Sequence, residues 1–177
     1  FIPLVSNYSV RNRFLQTSTI VSRYGERFGA QTYYLNISSV KRPDEQRTES
    51  EILNIKQLES YWNQMDAAVL SLGAPLKGNN PYYSEVARFA SEEERERGEM
   101  LSQLYFANGT SCWMGRDVEV VAFPLGKLKD VKNVVCIAGG FGKAEPIVYA
   151  AKNGYFKTLI TDHLTAISAL EALAKMD

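Results

Sequence analysis

The 177 residues carry 20 Lys+Arg against 20 Asp+Glu, a formal net charge of +0, and 45% of them are hydrophobic. That length and composition point to one folded domain with a real core and exclude a disordered chain. The balanced charge supplies no basic stripe for nucleic acid, so any contact with DNA falls to a part outside these residues.

Residues 1–5, Phe1-Ile2-Pro3-Leu4-Val5, read as a short apolar strand, and Ser6-Asn7-Tyr8-Ser9 as a polar turn. Opening on a strand rather than on methionine, the chain is expected to be a fragment of something longer. Phe14, Leu15, Ile20, Val21, Tyr24 and Phe28 fall near helical spacing, which predicts a helix over 11–28 closed by Gly29. Residues 31–37 are rich in Tyr, Leu and Ile and predict a strand, and a polar loop with Pro43 follows. Ile52, Leu53, Ile55, Leu58, Tyr61 and Trp62 predict a helix over 50–65, and Ala67-Ala68-Val69-Leu70-Ser71-Leu72 a buried strand. A loop punctuated by glycine and proline runs from Gly73 to Pro81. Residues 82–97 form a charged segment with Val86 and Phe89 as candidate inward residues, and its run Glu92-Glu93-Glu94-Arg95-Glu96-Arg97 reads as a solvated helix face. A β-rich stretch spans 98–106, Asn108-Gly109 marks a hairpin turn, and 118–123 reads as a further strand. The last part holds two β-α units: strand 133–138, helix Ala144–Lys152, strand 156–161 and helix 164–175. Short joins between them imply parallel strands with right-handed crossovers.

The join at Ile137-Ala138-Gly139-Gly140-Phe141-Gly142-Lys143-Ala144-Glu145 has the order of an anion site. A strand stops, glycines let backbone N–H groups come close to a ligand, and a helix N-terminus adds partial positive charge. Lys143 adds a full charge, and together these suit a phosphate on a small molecule. The stretch is not a nucleotide P-loop: Ile137 stands where the first glycine belongs and Ala144 where Ser or Thr is needed. It is not a dinucleotide fingerprint either, since the third glycine falls on Glu145. No cofactor is expected. The same order also fits a tight strand-to-helix turn that binds nothing.

Cys112 and Cys136 make no disulfide framework, and Cys136 reads as a small buried thiol. The one histidine belongs to no cluster with metal-ligand spacing, so no metal is expected. No apolar run reaches the ~18 residues of a membrane-spanning helix. In an open parallel sheet ligands sit at the carboxyl ends of the strands. Reading off those ends gives Ser6 and Asn7, Gly73 with Lys77, Gly139 to Lys143, and Asp162 with His163. Glu99 and Asn7 could bond sugar hydroxyls. Each has a plainer reading: Lys143 as a solvated first-turn lysine, Glu99 as a surface carboxylate, Asp162 as the N-cap of the last helix, His163 as a first-turn residue. With one His no Ser-His-Asp arrangement exists, and no catalytic residue is assigned. A proton-transferring pair of Glu99 and Asp162 would need a separation that spacing does not supply.

The order of motifs resembles the C-terminal effector-binding domain of SorC/DeoR-type bacterial sugar-responsive transcription regulators. The resemblance covers nearly the whole chain. It is carried by residues 137–145 followed by Leu159-Ile160-Thr161-Asp162, with support from residues 65–73, Gly98-Glu99-Met100-Leu101 and Phe106-Ala107-Asn108-Gly109. It implies an α/β fold with a three-layer Rossmann-like, mostly parallel sheet, similar to ribose-5-phosphate isomerase and glucosamine-6-phosphate deaminase. It implies an effector-binding domain over 1–177 that lacks its first strand and an upstream DNA-binding domain. It further implies a phosphorylated sugar effector, operator DNA as the partner of the absent domain, a homodimer or homotetramer, and a cytoplasmic location.

In such regulators the residue matching Lys143 contacts phosphate or sugar, and the acidic residue matching Glu99 contacts hydroxyls. Gly139, Gly140 and Gly142 belong to the same loop, and Ser6, Asn7, Gly73, Lys77 and Asp162 complete the effector site. The chain departs from the pattern at His163, where Glu is common, at Glu99, where Asp is common, and at Ser6-Asn7, which lacks paired glycines and an arginine. The favoured function is therefore a sensor and not an enzyme, working through differential affinity between oligomer arrangements. An isomerase- or deaminase-type enzyme and a sugar-phosphate scaffold are the competing readings.

Overall fold

The computed structural model describes residues 1–6, 16–35, 37, 40–41, 44–74, 97–113 and 119–176. They fall into two compact units, Phe1–Met65 with Asp117–Phe123, and Asp66–Arg116 with Pro124–Asp177.

In the first unit, helix α1 spans Thr17–Phe28 and ends at Gly29, whose φ of 63° is the left-handed cap the sequence predicts. Residues 11–15 of the predicted helix lie outside the described residues. Strand β1 is Val40–Lys41. Helix α2 spans Glu49–Trp62 and begins with a capping box. The Thr48 hydroxyl accepts from the Glu51 amide at 3.2 Å, and the Glu51 carboxylate accepts from the Thr48 amide at 2.8 Å. This pair holds the Glu51 carboxyl below its ordinary range, chiefly through the Thr48 backbone bond.

Two strands expected here form no regular ladder. In residues 1–5 only Val5 makes a β-bridge, to Ala122. Neighbouring bonds, Ser6 N to Val121 O at 3.0 Å and Phe123 N to Leu4 O at 2.7 Å, continue this irregular pairing. Residues 31–35 lie in no strand. The Tyr33 hydroxyl donates to the Asn54 carbonyl at 3.0 Å, and its ring packs edge-on against Tyr61 at 5.1 Å. Its aromatic side chain thus seats the segment on α2, while the Tyr33 amide donates to the Phe1 carbonyl at 2.9 Å. The core of this unit gathers Leu35, fully buried Leu58, and Trp62, whose ring meets Phe123 and whose Nε1 donates to the Pro3 carbonyl at 2.8 Å.

In the second unit, β2 (Ala67–Leu70), β7 (Asn133–Ile137) and β8 (Thr158–Ile160) form a parallel sheet in the order β2-β7-β8. Ala67 stands opposite Asn133, and Val135 opposite Thr158. Helices α3 (Ala144–Lys152) and α4 (His163–Ala174) follow β7 and β8 and pack on each other. This is the β-α order the sequence predicts, and the α/β class and parallel sheet follow from it. The burial differs from expectation. Ala68, Leu70, Val134 and Cys136 are buried, whereas Val69, Ile137 and Ile160 are exposed. The strands therefore alternate with period two, although an apolar run in sequence reads as burial on both faces.

A second, antiparallel sheet holds β3 (Gly98–Met100), β4 (Gln103–Tyr105) and β5 (Ser111–Trp113). The turn before β5 is the expected Asn108-Gly109 turn, with Gly109 at φ 79° and the Asn108 side chain accepting from Thr110 N at 3.0 Å. The turn before β4 carries no such signal. Leu101 and Ser102 both adopt left-handed φ, 53° and 63°, without a glycine. Strand β6 (Glu119–Val120) pairs with β1 in the first unit. A 3-10 helix at Leu125–Asp130, which the sequence reading missed, buries Leu125 and Leu128 completely, and their spacing of three matches its period. Residues 75–96, which include most of the predicted charged helix, lie outside the described residues.

Leu58 is the fully buried anchor of α2. Leu58→Ala is expected to lower stability by about 2–5 kcal/mol, read as a lower denaturation midpoint in urea with circular dichroism as the probe.

Candidate functional site

The carboxyl ends of β2, β7 and β8 lie side by side in the second unit, and the residues that leave them meet there. After β7 the chain turns through Gly140 (φ 99°) and Gly142 (φ 79°), conformations that side chains resist. A Cβ on Gly139 would lie 2.4 Å from Asp162 Oδ2, so this glycine permits a close approach of two loops. The Gly140 amide donates to Thr165 Oγ1 at 2.8 Å and to Asp162 Oδ2 at 3.0 Å. Asp162 is also the N-cap of α4, accepting from Thr165 N at 2.9 Å, and the Thr165 hydroxyl donates to it at 2.7 Å. The Thr165 hydroxyl and amide, then the Gly140 amide, hold the Asp162 carboxyl below its ordinary range. Asp162 thus anchors the glycine loop, and the Gly140 amide that the sequence reading aimed at a ligand is engaged by α4. His163 is the first residue of α4 and exposed.

Lys143 is the N-cap residue of α3 and supplies no side-chain cap to it. Its side chain instead turns back across the rim, and Nζ donates to the Leu72 carbonyl at 2.6 Å. The first amides of α3 lack intrahelical partners by construction, and Pro146 in the first turn removes one of them. A full positive charge and a helix N-terminus therefore share one place.

Glu99 reaches the same place from β3. Its backbone pairs with Gly73: Gly73 N donates to Glu99 O at 2.7 Å, and Glu99 N donates to Gly73 O at 3.2 Å. Leu72 thus receives the ammonium of Lys143 while its neighbour Gly73 pairs with Glu99. The Glu99 carboxylate accepts from the Ser102 amide at 2.6 Å. The left-handed Leu101-Ser102 turn aims that amide. Burial pushes the Glu99 carboxyl up to about 7, against the opposing pull of the Ser102 amide and of the Lys143 charge. Burial likewise pushes the Cys136 thiol up to about 11, with Lys143 opposing, so this buried cysteine stays a neutral structural thiol.

The structure therefore brings Gly73, Glu99, Gly139, Gly140, Gly142, Lys143 and Asp162 together. Ser6 belongs to the first unit, where it is buried and its hydroxyl donates to the Ile37 carbonyl at 2.6 Å. Asn7 and Lys77 lie outside the described residues. Sequence reasoning missed Leu72, Ser102 and Thr165. Thr165 was detectable, since Asp162-x-x-Thr165 has the spacing by which an N-cap and its third helical residue meet. A carbonyl acceptor and a glycine-free left-handed turn leave no mark in sequence.

The family model "Putative sugar-binding domain" matches residues 1–171. The chain belongs to this family of sugar-binding domains. The sorbitol operon regulator of Klebsiella pneumoniae is 25% identical over 119 residues, which cover 64% of this chain and 37% of that protein. The transcriptional regulator LsrR of Escherichia coli is 43% identical over 54 residues, 30% of this chain and 17% of that protein. The crystal structure of the full-length sorbitol operon regulator SorC from Klebsiella pneumoniae superposes with a TM-score of 0.76 at 19% identity, over 94% of this chain and 56% of that one. The matched segments thus span well under half of the curated relatives' length. The family resemblance drawn from the glycine loop and its companions is correct, and these relatives bear the names of regulators rather than of enzymes. Among the described residues no helix is long and apolar enough to cross a membrane, and no cluster of His, Cys, Asp and Glu could hold a metal.

Glu99 gives the second unit a signature in pH. Its folded value of about 7 lies above the ordinary 4.5, so the folded chain binds the extra proton between these values. Stability is expected to fall as pH rises from 4.5 to about 7 and to level off above, by up to about 3 kcal/mol at 1.36 kcal/mol per unit. Asp162 and Glu51, both held low, act in the opposite sense and lose their contribution only as pH falls through their lowered values. Urea denaturation across pH checks this, with Glu99→Gln expected to remove the slope in that window.

Proposed function

We propose that this chain is the effector-sensing domain of a longer DNA-binding transcriptional regulator, and that its effector is a phosphorylated sugar. The observation that carries the reading is the meeting of Lys143, the start of α3 and Glu99 around Leu72-Gly73, in a chain that belongs to a sugar-binding-domain family. An ammonium beside a helix N-terminus suits the phosphate, because charge-assisted hydrogen bonds are the strong ones. A carboxylate in a desolvated setting suits sugar hydroxyls, which can donate to it in pairs. Gly139, Gly140 and Gly142 let the loop come close, Gly73 opens the loop beyond β2, and Asp162 holds the loop by its base.

The names of the relatives support coupling of this domain to control of an operon. In this reading residues 1–177 are the sensing domain, and operator DNA is bound by another part of the same protein in the bacterial cytoplasm. The protein acts as a homodimer or homotetramer. Effector binding then shifts the balance between two arrangements of the subunits, by as much as the ligand's affinities for the two differ.

Isothermal calorimetry with a panel of sugar phosphates and their unphosphorylated counterparts tests this. At least one sugar phosphate is expected to bind and to raise the melting temperature with no turnover. Lys143→Ala is expected to weaken that binding by about tenfold or more, the loss of one charge-assisted contact, with an unchanged far-ultraviolet spectrum. Equal affinity for the unphosphorylated sugars, or product formation, would overturn the reading.

A further inference from the structure

The strand that carries Glu99 and the helix that Lys143 opens are fastened to each other by side chains of neighbouring residues. Tyr105 on β4 is fully buried, and its Oη donates to the Pro146 carbonyl in the first turn of α3 at 2.9 Å. Burial keeps this phenol protonated, and so a donor. Its path crosses β3 at Gly98, next to Glu99, where a Cβ would lie 2.2 Å from Tyr105 Oη. Gly98 is therefore the gap through which the phenol reaches the helix. Tyr155 closes on the Tyr105 ring from another side, edge-on at 5.6 Å.

Arg97, on the other side of Gly98, grips the same helix from the surface. Its Nη1 donates to Glu145 Oε1 at 3.0 Å, and its guanidinium lies 4.9 Å from the centre of the Tyr149 ring. The Arg97 amide also donates to the Tyr105 carbonyl at 2.8 Å, so both grips start from one pair of strands. An ion pair this exposed contributes little to stability. Stacking on Tyr149 together with the bond to Glu145 does fix direction, because a planar guanidinium meets both only in one orientation. Glu145, Pro146 and Tyr149 all lie in the first two turns of α3, directly after Lys143.

We infer that Tyr105 and Arg97 are positioning residues, a clasp that sets how far the Glu99 carboxylate stands from the Lys143 ammonium. This rests on the reading of Glu99 and Lys143 as one effector site. A binding constellation needs its groups held to within about 0.5 Å by supporting contacts, and this clasp adds them to the link through the Leu72-Gly73 backbone. It also makes the site specific to this arrangement of α3: a rotation of the helix would carry Lys143 away from Glu99.

The test uses two variants that change no formal charge, Tyr105→Phe and Tyr149→Leu, with Lys143→Met as the reference. The Glu99 carboxyl is titrated by nuclear magnetic resonance in the full chain labelled with carbon-13 at glutamate, assigned through Glu99→Gln. Lys143→Met is expected to raise the Glu99 midpoint, because it removes the opposing charge. Each clasp variant is expected to raise it by about a third or more of that shift, since Lys143 drifts away. A role confined to holding the fold together would leave the midpoint of the folded protein where it was. An unchanged midpoint in Tyr105→Phe and Tyr149→Leu would overturn the clasp, as would an unchanged midpoint in Lys143→Met. Because Tyr105 itself lies within electrostatic reach of Glu99, the Tyr149→Leu result decides. No ligand enters the titration, so its failure stays separate from a failure of the effector reading.

Discussion

A short piece of backbone, Leu72-Gly73, organises the chemistry of this chain. It lies just past the end of β2 and accepts the Lys143 ammonium on one residue while pairing with the Glu99 backbone on the next. Neither charged residue is sequence-near to it or to the other. A lysine placed at a helix start would ordinarily extend into water, since its side chain gains entropy and hydration there. Here a carbonyl at the end of a strand recovers part of that hydration with a 2.6 Å bond. The cost of burying Glu99 is met only in part, by the Ser102 amide and the nearby ammonium, and the carboxyl therefore holds its proton more tightly than a solvated glutamate. The pair therefore joins a carboxyl that is easily neutralised to an ammonium bonded to a neutral carbonyl.

The glycine loop obeys the same economy of partners. Its amide at Gly140 is tied to Asp162 and Thr165, which cap α4, so the loop is held by the helix after the neighbouring strand. The start of α3 carries no such cap from Lys143. Two helices side by side thus have opposite N-termini, one closed by its own aspartate and one left to other partners.

The β-α order of the last third was legible in sequence because local signals agree with one another. Val134 to Ile137 form an apolar run of strand length, glycines break it, Pro146 fits a first helical turn, and Asn153-Gly154 ends the helix. The α2 capping box and the Gly29 cap were readable for the same reason. Regions 1–5 and 31–35 misled because they bond each other only at Phe1, to Gln31 and Tyr33, too short a match for a ladder. Tyr33 instead finds α2, and Val5 finds a single bridge. The 3-10 helix at Leu125–Asp130 escaped because six residues carry too little period to announce themselves.

By itself the sequence determined the class of fold, the glycine loop with its lysine, and the family, since each is written in contiguous residues whose local physics needs no distant help. Only the tertiary structure decided that Lys143 bonds Leu72, that Glu99 is desolvated beside it, and that Asp162 bonds the glycine loop. Those facts depend on which backbone carbonyls and amides are brought within bonding distance by strand order. A carbonyl is the same in every residue, so no choice of side chain records which one will be used.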